Sequence, residues 1–160
     1  MSIEIVNDDI FNFKKGVICQ QVNCKGKMGA GLAKDIAQKW PFVKESYLKL
    51  FDNNPNGVGL MGTVQFVPVK HDLIIANIFG QFDYGRTPFK TYTDYKAFDT
   101  AMKKVWKFAV ESKLSVAVPY KIGCNLGGGD WKEIEKILCN TFVYNRAVRL
   151  YIYHKERWDD

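Results

Sequence analysis

An α/β fold is what this sequence predicts, and three observations predict it. Runs of β-branched and apolar residues of strand length alternate with longer segments of helical period. Two runs, residues 73–79 (LIIANIF) and 115–119 (SVAVP), are almost continuously apolar, as strands covered on both faces are. Two glycine-rich segments each follow a strand-like run and lead straight into a helical pattern. Together these imply a central sheet with helices on both faces. The chain has 160 residues, enough to bury one core, and we read 1–160 as a single domain.

The elements follow in order. Residues 3–6 read as a short strand, and 16–22 (GVICQQV) as a second, β-branched near both ends. Leu32, Ile36 and Trp40 fall near helical spacing until Pro41 breaks or kinks the helix. Phe42, Val43, Tyr47, Leu50 and Phe51 then resume it. Residues 52–59 (DNNPNGVG) are dense in turn formers and predict a loop. Residues 63–69 alternate loosely as a strand, 73–79 form the buried one, and 80–92 form a long polar and aromatic loop. Tyr95, Phe98, Met102, Val105 and Ala109 mark an amphipathic helix. After strand 115–119, Trp131, Ile134, Leu138 and Phe142 mark the last long helix. Asp130 stands at its N-cap and Glu133 lies at capping-box spacing. Residues 147–153 close the sheet.

Composition excludes several classes. No apolar run approaches the roughly 20 residues that span a bilayer. The start, MSIEIVNDD, lacks the basic and apolar regions of a secretion signal, so a cytoplasmic protein is expected. Cys19, Cys24, Cys124 and Cys139 form no C-x-x-C pair. Neither His71 nor His154 is near a cysteine in sequence, so no metal and no cofactor is expected. Lysine and arginine number 23 against 17 acids, a net charge of +6, which suits an anionic ligand.

The glycine segments carry the functional reading. VNCKGKMGAGLA (22–33) and PYKIGCNLGGGDW (119–131) both lie between a strand's carboxyl end and a helix start. That junction is where open α/β sheets bind ligands. A helix start offers unpaired N–H groups and partial positive charge, and glycine lets backbone approach an anion. Two such loops would hold a diphosphate from both sides, whereas a single one is more simply an ordinary tight turn. Neither is a Walker A loop, although Lys27 and Lys34 flank the first, and the full Rossmann fingerprint is absent.

The order V-N-x-x-G-x-M-G-A-G-L-A, then I-A-N-I-F-G-Q, then Y-T-D-Y, then P-Y-K-I-G-C-N-L-G-G-G-D-W resembles the macro domain family. Within it, the chain looks most similar to the branch holding bacterial and phage ADP-ribose 1''-phosphate phosphatases and ADP-ribosyl hydrolases. The likeness runs from about Ile5 to about Tyr153. It implies a three-layer α/β/α sandwich around a mixed, roughly six-stranded sheet, and a cleft for ADP-ribose, its 1''-phosphate or ADP-ribosylated macromolecules. A monomer is expected.

Carried over by position, the resemblance has Asp9 and the Ile10 backbone reading adenine, with a loop acid or helix cap as the plainer role for Asp9. Gly29, Ala30 and Gly31 would line the diphosphate and distal ribose. Gly123, Cys124, Asn125, Leu126, Gly127, Gly128 and Gly129 would form the opposing loop. Tyr151 or Tyr153 would cover the adenine face or pack in the core. Tyr84 and Phe89 lie in the loop that would close over the distal ribose, and surface packing explains them equally well.

For chemistry at C1'', the candidate catalytic residues are Asn23, either beside the distal ribose or forming an Asx-turn after the strand, Gln81 and Asp130. Asp130 is either an acid–base group or a helix cap. DNA ADP-ribosyl hydrolases of the branch carry a lysine near the position of Gln81, and Lys90 is out of register with it. An acid used elsewhere in the family falls on Gly127, and a histidine on Gln20. The two functions implied are metal-independent hydrolysis at C1'' and binding alone.

Overall fold

The structure, a computed structural model, describes residues 2–143 and 147–155. Six strands form one sheet: β1 (Ile3–Val6), β2 (Gly16–Val22), β3 (Val64–Lys70), β4 (Leu73–Phe79), β5 (Val116–Pro119) and β6 (Leu150–Tyr153). The helices are α1 (Gly31–Lys39), α2 (Pro41–Asn53), α3 (Tyr95–Ser112) and α4 (Trp131–Phe142). The strand order is β1-β6-β5-β2-β4-β3. All neighbours run parallel except β3, which is antiparallel to β4, so the sheet is mixed as expected.

Side-chain alternation explains the apolar runs. Along β2, Val17 and Cys19 face a core with Phe98, Met102 and Val105 of α3 and Ile134 and Leu138 of α4. Ile18 faces the opposite core with Ile36, Trp40 and Val43. The strand is thus sandwiched between two helical layers, and polar residues on either face would be desolvated. Burying a ring such as that of Phe98, fully inaccessible here, contributes about 2–3 kcal/mol.

The break at Pro41 is as the sequence predicts. α1 ends at Lys39 and α2 begins on Pro41, whose missing N–H costs nothing at a first helical position. Pro68 is tolerated because β3 is an edge strand and its register shifts beside that residue.

Two expectations need adjustment, and one element went unread. The 52–59 loop is shorter, since α2 continues through Asn53 and a 3₁₀ turn occupies Val58–Leu60. The last strand starts at Leu150. A 3₁₀ turn at Ile10–Asn12 was not read from the sequence, being too short for any periodicity to show.

Candidate functional site

Because β1, β6, β5, β2 and β4 are parallel, the segments that follow them leave one edge of the sheet. The chain moves from β2 to β4 on one side and to β5 on the other, so β2/β5 is the topological switch point. Both glycine loops flank it.

The loop after β2 is built on Asn23. Its Oδ1 accepts from Lys25 N at 3.0 Å, and its Nδ2 donates to the Lys27 carbonyl at 2.7 Å. Tyr47, fully buried in α2, donates its hydroxyl to the Asn23 carbonyl at 2.7 Å and lies 3.0 Å from Oδ1. Burial and the missing solvent push the Tyr47 phenol above its ordinary pKa, so it stays a donor. The loop then reaches α1. Ala30 is its N-cap and offers no side-chain acceptor, so the N–H groups of Gly31, Leu32 and Ala33 have no hydrogen-bond partner among the described residues. A Cβ added at Gly29 or Gly31 would meet nothing within 4 Å. The backbone here borders open space, and Gly31 also has φ +59°, which favours glycine.

The loop after β5 is folded on itself. Cys124 N donates to Lys121 O at 2.8 Å, and Gly129 N to Gly123 O at 2.9 Å. The N–H groups of Gly123, Leu126 and Gly127 have no partner among the described residues. This loop is also sewn to the segment that returns from the long 80–93 loop. Gly127 O accepts from Tyr92 N at 2.8 Å and Thr93 N at 3.0 Å, and Thr93 Oγ1 donates to Gly123 O at 2.6 Å. Its glycines therefore serve packing. A Cβ at Gly127 would overlap Thr93 and the Gly123 carbonyl, one at Gly128 the Lys90 carbonyl, and one at Gly129 the Gly123 carbonyl. Close approach to an anion, which the sequence suggested for all of them, describes Gly29 and Gly31 better than Gly127, Gly128 and Gly129.

Between the loops lie two adjoining cavities of about 330 and 530 Å³. They share Gln21, Ala30, Ala33, Gln81, Arg86 and Leu126. A third hollow of about 430 Å³ continues outward past Arg86 and Leu126. The charged residues lining the three are Lys27, Arg86, Lys90 and Lys121. No acid and no histidine lines any of them among the described residues. Cationic side chains and unpaired N–H groups together make a cleft suited to an anion. A larger hollow, about 980 Å³, lies at the sheet edge, walled by Ile3, Ile5, Cys139 and Val143. None of the candidate catalytic or ligand-binding residues lines it.

The sequence candidates fall into two groups. Asn23, Gly29, Ala30, Gly31, Gly123, Asn125, Leu126, Gly127 and Gln81 line the two inner cavities. Gly128 lines only the outer hollow, and Cys124 and Gly129 line none of the three. Burial, with Asp130 nearby, pushes the Cys124 thiol up to about 11, so it is a neutral thiol near pH 7. Gln81 is held at both ends of its amide: Oε1 accepts from Gln21 Nε2 at 2.7 Å, and Nε2 donates to Asp83 O at 2.8 Å. It acts as a tie between β2 and the long loop. Gln20 is engaged at one end only: its Nε2 donates to Asn77 Oδ1 at 2.7 Å, and its buried Oε1 has no partner among the described residues.

Asp130 is placed as the helix cap. Its Oδ1 accepts from Lys132 N at 3.0 Å, rather than from the Glu133 N–H that capping-box spacing predicts, and it lines no cavity of the cleft. Asp9, Ile10 and Tyr153 lie at the same sheet edge but outside these cavities. Asp9 caps the 3₁₀ turn, its Oδ1 accepting from Phe11 N at 3.0 Å, while Lys155 Nζ is 2.9 Å from Oδ2. Ile10 is fully buried, and the Tyr153 ring packs edge-on to Phe13 at 6.0 Å within the core.

Arg86, Gln21, Thr93 and Tyr47 went unremarked as site residues in the sequence. Gln21 donates to both Gln81 and Thr93, which lie 60 and 72 residues away. No local pattern signals such a network.

No protein-family profile matches the chain, and no curated protein matches it by sequence. Solved structures do match. A protein of unknown function from Bacteroides thetaiotaomicron is 28% identical, with a TM-score of 0.85 over 96% of this chain and 98% of that one. A macrodomain protein from Streptomyces coelicolor is 27% identical, with a TM-score of 0.78 over 94% and 97%. Thermosipho africanus DarTG, solved in complex with ADP-ribose, is 18% identical, with a TM-score of 0.78 over 98% of this chain and 42% of that one. With its six-stranded mixed sheet and two helical layers aligned over nearly the whole length, the chain has the macrodomain fold.

Proposed function

We propose that the cleft between the two glycine loops binds ADP-ribose. The observation that carries this reading is the meeting of two sets of N–H groups that are unpaired among the described residues, from Gly31–Ala33 and from Gly123, Leu126 and Gly127, across a cavity whose walls carry cations and, among the described residues, no acids. A diphosphate matches that arrangement in charge and in hydrogen-bonding capacity. The second cavity, beside Asn23, Gly29 and Tyr84, would take the distal ribose. The bound ADP-ribose of the similarly folded Thermosipho protein supports the choice of ligand. Adenine would extend toward Asp9, its amine replacing Lys155 at Oδ2.

Hydrolysis at C1'' is the second reading. In its favour, the second-loop N–H groups would hold a departing phosphate. Against it, no carboxylate or imidazole among the described residues lines the cleft to activate water. Binding alone therefore stands first. Calorimetry with ADP-ribose and AMP tests it: ADP-ribose is expected to bind one-to-one and more tightly, and equal affinities would overturn the assignment. Incubation with ADP-ribose 1''-phosphate, with and without a chelator, decides the second reading by phosphate release.

A further inference from the structure

The long 80–93 loop is anchored at its base and carries a cation at its tip. Gln81 and Thr93 form an isolated antiparallel bridge, and Asp94 N donates to Gly80 O at 2.8 Å. From this base the chain runs outward and turns around one side chain, Tyr92. The Thr87 N–H donates to the Tyr92 hydroxyl at 3.3 Å, and Lys90 Nζ lies 4.9 Å from the ring centroid. Hydrogen bonding from Thr87 lowers the phenol below its ordinary value. A Cβ at Gly85 would overlap the Tyr92 hydroxyl, so the chain passes close against that side chain. Tyr92 itself is tied down, its N–H donating to Gly127 O at 2.8 Å in the second glycine loop.

The residue between Gly85 and Thr87 is Arg86. It is exposed, yet it alone among the described charged residues lines all three hollows of the cleft. We infer that Arg86 is a ligand-binding residue that grips an anionic group where the two inner cavities meet, and that Tyr92 is the positioning residue that holds it over the cleft. This rests on the proposed ADP-ribose reading and adds the group that selects a doubly charged ligand. A guanidinium suits that task because its donors are fixed in a planar fork that can bind two phosphate oxygens at once. The link from Gly127 through Tyr92 to Thr87 also ties the second loop to the arginine.

The test is a double-mutant cycle on the intact chain, read by calorimetry with ADP-ribose at low and moderate salt. Arg86→Gln is expected to weaken binding about tenfold and flatten the salt dependence. Tyr92→Phe is expected to weaken binding about threefold where Arg86 is present and to have no further effect in the Arg86→Gln protein. Both sites are on the surface loop, and unchanged melting temperatures will show that the fold is kept. Wild-type affinity and salt slope in Arg86→Gln would overturn the ligand role. Additive effects of the two substitutions would overturn the positioning role. If the wild type does not bind ADP-ribose, that reading falls by itself. The same four proteins titrated with inorganic pyrophosphate then judge Arg86, and equal affinities across them would reject it.

Discussion

Tyr47 donates its hydroxyl to the backbone carbonyl of Asn23 at 2.7 Å from a fully buried position on α2. The ring is clamped by Phe51 at 5.3 Å and Phe79 at 5.9 Å. One helix thus fixes the start of the loop that lines the cleft. Tyr47→Phe keeps the ring packing and leaves a buried carbonyl without its donor, at a cost of about 1–3 kcal/mol. Denaturant unfolding is expected to show that loss. Binding should also fall more for ADP-ribose than for ADP, because Asn23 borders the cavity assigned to the distal ribose. Equal losses for both ligands would mean the loop geometry does not depend on this bond.

What could be read from the sequence follows from the range of the interactions. β1, β2 and β4 were bounded correctly because each is a local run with both faces set by its own residues. The α1/α2 break was legible because Pro41 acts within one turn. The glycine loops were legible as loops, since strand, glycine and helix signals adjoin. Their division of labour was not. Whether the missing Cβ of Gly127 faces a ligand or Thr93 depends on a segment more than thirty residues earlier in the chain. The same distance hid Arg86 and the Gln21–Gln81–Thr93 ties.

Asp9 is engaged by Lys155 at 2.9 Å, and both side chains are partly exposed. If adenine's amine is read by Asp9, Lys155 competes with it. Lys155→Met is then expected to tighten ADP-ribose about threefold, the scale of a partly exposed ion pair. Asp9→Ala should weaken ADP-ribose more than inosine diphosphate ribose, which lacks the amine. Identical responses of the two ligands to both substitutions would remove Asp9 from nucleobase recognition.

Asp130 offers a contrast between capping and chemistry. Its carboxylate accepts from Lys132 N, and its own N–H donates to the Tyr95 hydroxyl at 2.9 Å. Asp130→Ala is expected to destabilise by about 1 kcal/mol, as loss of an N-cap does, while Asp130→Asn keeps a capping oxygen and most of the stability. Neither should change ADP-ribose affinity. If ADP-ribose 1''-phosphate is turned over, Asp130→Asn should match the wild-type rate. A fall of about a hundredfold or more would return Asp130 to the acid–base role.

The two glycine loops should respond to substitution in opposite ways. Gly29 has ordinary backbone geometry and open space where a Cβ would stand, on the wall of the inner cavity. Gly29→Glu therefore folds without a clash and puts a carboxylate where an anionic ligand would lie. Like charges brought together cost several kcal/mol, so binding is expected to fall by about a hundredfold or more with the melting temperature unchanged. Gly127→Ala forces a methyl group into Thr93 and the Gly123 carbonyl, and both are held by hydrogen bonds that cannot lengthen freely. That overpacking should cost about 1–3 kcal/mol of stability and loosen the loop that carries the unpaired N–H groups. Melting curves and titrations of the two proteins read the difference directly. A stable Gly127→Ala protein with normal binding would show that the second loop yields to fit its new side chain. A Gly29→Glu protein that binds normally would move the anion site away from the first loop.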